Sequence, residues 1–381
     1  MSEVIGTPFP TIGIMGGGQL GRMMALAAIR MGMAIKFLVP KQTGGTMGLG
    51  TTHVGDWTDP AVLNEFIDGC DVVTVESEWA PIEAVENLGT SIPCYPRSST
   101  LSLIRDKGVQ KTTLKEAGLP VPPFACCSSY TEALEYAQGS GFPVVVKRYK
   151  GSYDGYGNAT AHSVEELKSA WSQLADDNGV LVEAWVPFTR ELSVLVARTP
   201  EGDHVTYPVA YTEQKDHRCH AVEVPTVIAK ATEQKAVEIG LGAVEAVDGI
   251  GLTAVELFEL EDGSILVNEL APRPHNTGHY SIEACFTSQF ENHIRGILNW
   301  PLGSPQLRVP CAVMVNILGH RSQQVESDSV RESLKTDDVS VHIYGKEETR
   351  PKRKMGHVTA TGDTLTDVRQ KAELAASTII L

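Results

Sequence analysis

The feature that most constrains this chain is the alternation in its opening section. Thr11–Met15, Ala34–Val39 and residues 71–76 read as short buried strands, while 22–30 and 60–68 carry helical spacing between them. Strands separated by helices are joined by crossovers, and crossovers build a parallel sheet with covered faces. This α/β unit is expected to end near residue 100. A helical stretch over 106–117 then runs into Gly118-Leu-Pro-Val-Pro-Pro123, which its prolines hold extended. The pattern changes after it. Strands are expected at 143–147, 180–186, 191–198 and 205–211, helices at Val164–Leu174, 233–247 and 281–298, and a hairpin at 253–270, together an α+β unit. Past Pro310 only short strand signals return, at Cys311–Leu318 and 339–344.

Composition narrows the class. With 381 residues, and roughly 100–200 per domain, two or three domains are expected. The 32 basic and 47 acidic side chains give a formal charge of -15, which argues against unspecific nucleic-acid binding. No apolar run approaches the ~20 residues that span a bilayer. Pro8, Pro10 and a glycine cluster stand where a signal peptide needs an apolar helix, so a cytoplasmic protein is expected. Seven cysteines, with no Cys-x-x-Cys pair, read as reduced thiols. The tail ends on an apolar run at 375–381, odd for a free terminus, which suggests a polypeptide that once continued.

Several motifs carry chemistry. Gly16-Gly-Gly-Gln19-Leu-Gly21 lies between the first strand and first helix, where glycines admit a phosphate and free amides favour its charge. An NAD oxidoreductase would want an acid after the second strand, where this chain has Val39, Pro40 and Lys41, so a phosphate-bearing substrate is the better reading. Lys147 closes an apolar strand before Gly151-Ser-Tyr-Asp-Gly-Tyr-Gly157, an arrangement that can grip polyphosphate under a flexible lid. The competing reading is an ordinary turn with a surface lysine. Lys107, opening the preceding helix, offers a second cation.

The hairpin is more specific. Asp262-Gly263 reads as a two-residue loop, and pairing Glu261 with Ser264 across it sets Glu256 opposite Glu269. Like charges opposed on one face destabilise a sheet, whereas a hard divalent cation bridging their oxygens makes a binding site. Magnesium takes one or two carboxylates and completes its shell with water and phosphate, which suits Mg-ATP. Two solvated glutamates are the alternative, and a one-residue slip would send them to opposite faces. The following loop holds Arg273, whose planar fork suits an oxyanion, and His275 and Asn276, which can orient a small acid. Zinc on His275 and His279 would need a helix that Pro274 and Gly278 discourage. Strand residues Glu183 to Val186, with Glu191 beyond, offer backbone edges to an adenine and a carboxylate to a ribose. Lys346, Arg350, Lys352, Arg353, Lys354 and His357 form a basic run that could clamp a second phosphate.

Taken in order, Gly16-Gly-Gly-Gln-Leu-Gly-Arg22, Lys147 with its glycine loop, Asn268-Glu-Leu-Ala-Pro-Arg-Pro-His-Asn-Thr-Gly-His279 and Arg353-Lys-Met-Gly-His357 resemble the ATP-grasp superfamily. Within it they are most similar to the N5-carboxyaminoimidazole ribonucleotide synthase family of purine biosynthesis. The resemblance implies a Rossmann-like substrate domain over 1–105, an ATP-grasp domain over 106–303 with a lid at about 120–185, and a small β-rich C-terminal domain over 304–381. It also implies ATP-dependent carboxylation of aminoimidazole ribonucleotide by bicarbonate through carboxyphosphate. ATP would be held by Lys107, Lys147, Glu183, Val186, Glu191 and Asn268, and magnesium, as two ions, by Glu256 and Glu269. The ribonucleotide would meet Gly18, Gln19, Leu20, Glu76, Tyr153, Asp154, Lys346, Arg353 and Lys354, with Arg273, His275, Asn276, Tyr153 and Asp154 at the chemistry. A homodimer and a fused or separate carboxyaminoimidazole ribonucleotide mutase are the implied partners. Ser152, Tyr156 and Asn158 depart from the family's loop. A different ATP-grasp carboxylase or formate-using ligase, and a non-catalytic nucleotide-binding module, are the remaining alternatives.

Overall fold

Every residue of β1 (Thr11–Met15) after the threonine is buried, so the strand needs cover on both faces. The computed structural model describes residues 9–151, 156–215, 218–320, 322–324 and 327–381. After β1 come α1 (Gln19–Arg30), β2 (Ala34–Val39), β3 (Thr51–Val54), α2 (Pro60–Ile67), β4 (Val72–Val75), α3 (Ile82–Gly89), β5 (Cys94–Tyr95) and α4 (Ser98–Arg105). The five strands pair in parallel in the order β3-β2-β1-β4-β5. The chain reverses direction across the sheet between β1 and β4, and the crevice beyond their carboxyl ends is where such sheets take ligands. Asp59 accepts from the Ala61 N–H and Pro60 opens α2, which fixes that helix start. The sequence reading missed β3 because an edge strand reading Thr-Thr-His-Val, exposed at both ends, carries no apolar run.

The next segment comprises α5 (Lys107–Glu116), β6 (Phe124–Cys127), α6 (Tyr130–Ser140), β7 (Val144–Lys147), β8 (Asn158–Ala161), α7 (Val164–Leu174) and β9 (Val180–Ala184). Its strands form an antiparallel sheet, β6-β9-β7-β8, packed under α6 and α7 around Val144, Val146, Val180 and Val182. There follow β10 (Phe188–Arg198), β11 (His204–Thr206), β12 (Ala210–Lys215), β13 (Arg218–Val224), α8 (Lys230–Ala246), β14 (Gly251–Leu260), β15 (Ile265–Ala271), α9 (Ser281–Ala284) and α10 (Gln289–Ile297). The chain finishes with β16 (Cys311–Leu318), β17 (Gln323–Gln324), α11 (Asp328–Ser333), β18 (Val339–Ile343), β19 (Glu348–Thr349), β20 (Lys354–Gly362) and α12 (Leu365–Thr378).

A long sheet ordered β15-β14-β10-β12-β13-β16-β20-β18 joins the central and C-terminal segments, because β16 pairs with β13. Strands β16, β20 and β18 therefore extend the central sheet, while β17 and β19 pair with each other as a short sheet of their own. Two expectations change. The strand placed at 205–211 is two, β11 and β12, separated by Tyr207-Pro208-Val209, where proline cannot donate to a ladder. The helix placed at 281–298 is broken after Ala284, and α10 starts afresh with Ser288 accepting from the Glu291 N–H. The apolar tail is core. Ile379 and Leu381 are buried with Ile317, Met355 and Val358, and the Leu381 carbonyl accepts from the His320 N–H at 2.9 Å. Among the described residues no helix is long and apolar enough to cross a membrane.

Candidate active site

A cavity of about 1210 Å³ lies where the parallel sheet, the small antiparallel sheet and the β14–β15 hairpin meet. Its walls include Gly18, Gln19, Leu20 and Glu76, Lys107 and Lys147, Glu183, Val186 and Glu191, Glu256, Asn268 and Glu269, and Arg273, His275, Asn276 and Lys354. Stretches separated by up to some 330 positions in the chain thus converge.

On the first wall, the glycine loop is met by an acid of the chain itself. The Glu76 carboxylate, just past β4, accepts from the Gly18 N–H at 2.7 Å and the Gly21 N–H at 2.8 Å. An internal anion thus takes the Gly18 amide offered at the start of α1. The same carboxylate explains Gly16, which has φ +120 and where a Cβ would stand 2.2 Å from Glu76 Cγ. Burial raises the pKa of Glu76, although the two amides, Arg273 and Lys346 pull the other way.

On the facing wall, Glu256 and Glu269 are opposed as expected, but by a different route. The loop has three residues: the Leu260 N–H donates to the Ser264 carbonyl, and Gly263 sits at φ +75. Pairs from Leu257–Val267 to Glu259–Ile265 are therefore displaced by one from the two-residue register. A β-bulge between Glu256 and Leu257 restores it, leaving Asn268 as the extra residue. Two errors in the sequence reading cancel at the glutamates. The bulge also turns Asn268 to the site, where Lys147 Nζ donates to its Oδ1 at 3.4 Å.

Electrostatics at this wall are those of an incompletely compensated acid pair. Burial, then the charges of Glu269 and Glu191, push the Glu256 carboxyl up to about 8. Burial opposes ionisation of Glu269 too, but its ion pair with Lys107 holds it at about 2. Lys107 is placed by Asp106, which caps α5 by accepting from the Gly108 and Val109 N–H groups. Among the described residues no three His, Cys, Asp or Glu side chains gather as metal ligands. Two opposed carboxylates suit magnesium, which takes the rest of its shell from water and a nucleotide's phosphates.

The loop after β15 is more committed than the sequence indicates. Arg273 does not present a free fork: Glu78 takes it bidentately, Nε to Oε2 at 2.5 Å and Nη2 to Oε1 at 3.0 Å. Asn276 exchanges amide hydrogen bonds with Asn316 at 2.8 and 2.6 Å. His275 Nδ1 lies 3.0 Å from Thr277 Oγ1, and Nε2 lies 3.6 Å from Glu256 Oε1. Burial, reinforced by the Arg273 charge, lowers the His275 pKa to about 3, so the ring is neutral at physiological pH. On the cavity wall beside Val186 and Glu191, Phe188 stacks on Phe258 with centroids 4.5 Å apart.

Of the remaining expected residues, Lys354 lines the cavity and Lys346 Nζ donates to the Lys354 carbonyl at 2.5 Å. Arg353 is exposed, bonds the Glu348 carbonyl at 2.7 Å and is not part of the cavity wall. His357 is fully buried beside Tyr344 and His279, so it is no member of a surface clamp. Tyr153 and Asp154 lie outside the described residues. Sequence reasoning missed Glu78, Asn316, Gln110 and Lys111. A signal existed for the last two: Lys107, Gln110 and Lys111 stand at i, i+3 and i+4 and so share a helix face.

A parallel-sheet domain, a small antiparallel sheet and a carboxylate-bearing hairpin enclosing one cleft define an ATP-grasp protein. The ATP-grasp domain model matches residues 112–290, the ribonucleotide synthetase preATP-grasp domain 9–105, and the phosphoribosylaminoimidazole carboxylase C-terminal domain 312–371. The chain is 36% identical over 378 residues to N5-carboxyaminoimidazole ribonucleotide synthase of Synechococcus elongatus, covering 98% of this chain and 95% of that protein. To the chloroplastic phosphoribosylaminoimidazole carboxylase of Vigna aconitifolia it is 37% identical over 366 residues; these cover 94% of this chain but only 65% of the plant protein's length. The Aspergillus clavatus N5-carboxyaminoimidazole synthase, solved with ADP and aminoimidazole ribonucleotide, superposes with a TM-score of 0.88 at 30% identity, over 97% of this chain and 98% of that one. The chain belongs to the N5-carboxyaminoimidazole ribonucleotide synthase family of ATP-grasp enzymes.

Proposed function

We propose that this protein carboxylates 5-aminoimidazole ribonucleotide with bicarbonate at the expense of ATP. The observation that carries the reading is the opposition of Glu256 and Glu269 in the cavity that also holds Lys147, the Gly18–Gln19 loop and the Arg273–Asn276 loop. ATP lies with its adenine in the recess of Val186, Phe188 and Phe258, its ribose toward Glu191 and its phosphates toward Lys107 and Lys147. Magnesium, as two ions, held by Glu256 and Glu269, neutralises phosphate charge when bound. A bicarbonate oxygen attacks the γ-phosphorus and ADP leaves. The exocyclic amine then takes the carboxyl group from carboxyphosphate, releasing phosphate.

Arg273, fixed by Glu78, supplies a cation aimed at the carboxyphosphate oxygens without having to reorganise. Neutral His275 donates through Nε2 and keeps its orientation through Thr277. The ribonucleotide lies against Gly18, Gln19, Leu20 and Glu76, with Lys354 and Lys346 toward its phosphate and Tyr153 and Asp154 completing the site. Enclosure matters because carboxyphosphate hydrolyses readily in water. The instability of the product favours consumption by a carboxyaminoimidazole ribonucleotide mutase, and the family likeness favours a homodimer. The test is ADP release from Mg-ATP with bicarbonate and aminoimidazole ribonucleotide. Turnover that ignores omission of the ribonucleotide, or that prefers formate to bicarbonate, would refute the reading.

A further inference from the structure

One face of α5 meets the strand that carries Glu269 at three points. Lys107 pairs with Glu269 itself. Gln110 Oε1 accepts from the Leu270 N–H at 3.1 Å, and Lys111 Nζ donates to the Val267 carbonyl at 3.0 Å. Leu270 and Val267 flank the bulged pair Asn268 and Glu269, on a strand that is the edge of the long sheet. A bulge interrupts its own ladder, so those backbone groups need outside partners. The side chains of α5 supply them.

Lys111 does something more. Its Nζ stands 3.1 Å from Glu183 Oε1, while Lys147 Nζ stands 2.6 Å from Glu183 Oε2. Lys111 and Glu183 are only 2% and 3% exposed, far drier than ion pairs normally are. With Glu183 alone, Lys147 would form a neutral pair with little field to offer an anion. Two lysines on one carboxylate leave one positive charge over, and Lys147 is the one that faces the cavity.

We infer that Lys111 is a positioning residue for the nucleotide: by sharing Glu183 it keeps the charge of Lys147 available to polyphosphate, and by holding Val267 it ties the bulge to the lid strand β9. This rests on the reading that Lys147 faces ATP phosphates. Lys111 itself touches no substrate; burial lowers its pKa to about 8 against the pull of Glu183, which leaves it mostly cationic at neutral pH, and the two lysines hold Glu183 ionised, at about 2, against the effect of burial.

The test is Mg-ADP affinity by calorimetry on the full chain, with steady-state KM values alongside. Lys111→Met is expected to weaken Mg-ADP binding about tenfold or more, raising KM for ATP while leaving KM for the ribonucleotide unchanged. Lys111→Met combined with Glu183→Gln returns the single uncompensated charge to Lys147 but still lacks the tie to Val267, so its affinity is expected between those of Lys111→Met and the parent. A merely structural role would not be rescued by a second substitution. If Lys111→Met does not fold, the double variant, which removes both buried charges together, carries the test. Binding about tenfold weaker in the double variant, or unchanged in Lys111→Met, would overturn the inference. A parent chain that fails to bind Mg-ADP at all would overturn the nucleotide reading and this inference with it.

Discussion

The glycine loop after β1 and the β14–β15 hairpin face each other across one cavity, and both look from sequence like places where charge is unfinished. The loop offers backbone amides to an anion; the hairpin offers two carboxylates to a cation. Only the hairpin remains unfinished in the folded chain. The protein answers the loop from within, through the Glu76 carboxylate on the Gly18 and Gly21 amides. At the hairpin a single lysine pairs with Glu269, and Glu256 is left with a carboxyl pushed up to about 8 by burial and its acidic neighbours. The charge that the fold leaves over at the hairpin is the one offered to a cation.

The sharpest way to break this contrast is at the hairpin. Glu269→Ala should lower turnover by at least about 10²–10³-fold, the range for losing one preorganised electrostatic contact, with little loss of helix signal by circular dichroism. An active Glu269→Ala enzyme would remove the hairpin from the chemistry. At the loop the effect should be on folding: Glu76→Ala leaves two amides unsatisfied and should cost about 1–3 kcal/mol in denaturant melts. If that variant is fully stable, the amides are not held by Glu76 in the way the distances indicate.

Besides the Arg273–Glu78 pair, the segments that carry these two regions are joined at one buried point and one exposed point. His293 takes the Leu252 N–H on Nδ1 at 3.0 Å and lies 2.9 Å from Thr74 Oγ1 on Nε2, joining β14 to β4. Burial lowers its pKa from 6.5 to about 3. Between those values the unfolded chain takes up a proton that the folded chain refuses, so the neutral ring's contribution is complete above about pH 6.5 and is lost as pH falls toward 3. Wild-type stability should therefore exceed that of His293→Gln by an amount that shrinks, at up to about 1.4 kcal/mol per pH unit, from pH 7 to 5. A pH-independent difference in urea titrations would sink this. The outer bridge, Arg97 with Asp248, is about half exposed on both sides. Arg97→Gln should change stability by less than about 1 kcal/mol.

Legibility followed the range of the interaction that fixes each feature. The strands around Ile12 and Ile14, the caps Asp59 and Asp106 and the helix Val164–Leu174 are written in neighbouring residues, and they form where those residues place them. The hairpin's facing glutamates were readable only in outcome. Its three-residue turn and the bulge at Asn268 are each invisible to a count of alternating positions, and together they cancel. Arg273, by contrast, is evident as a cation in the sequence, but its fork is given to Glu78, 195 positions away. No local pattern announces such a pair.

By itself, then, the sequence determined which chemistry the protein carries: a glycine loop, lysines on a strand and a helix start, two acids at matched distances from a turn, and an arginine-histidine-asparagine loop. Periodicity, capping and turn chemistry act over a few residues, and that is the range a sequence displays directly. The tertiary structure decided which of those groups are spent on one another and which face the cavity. Glu76 closes the amides, Glu78 claims Arg273, and Lys111 shares Glu183, because burial makes every uncompensated charge costly and the fold brings distant partners within about 3 Å of each other.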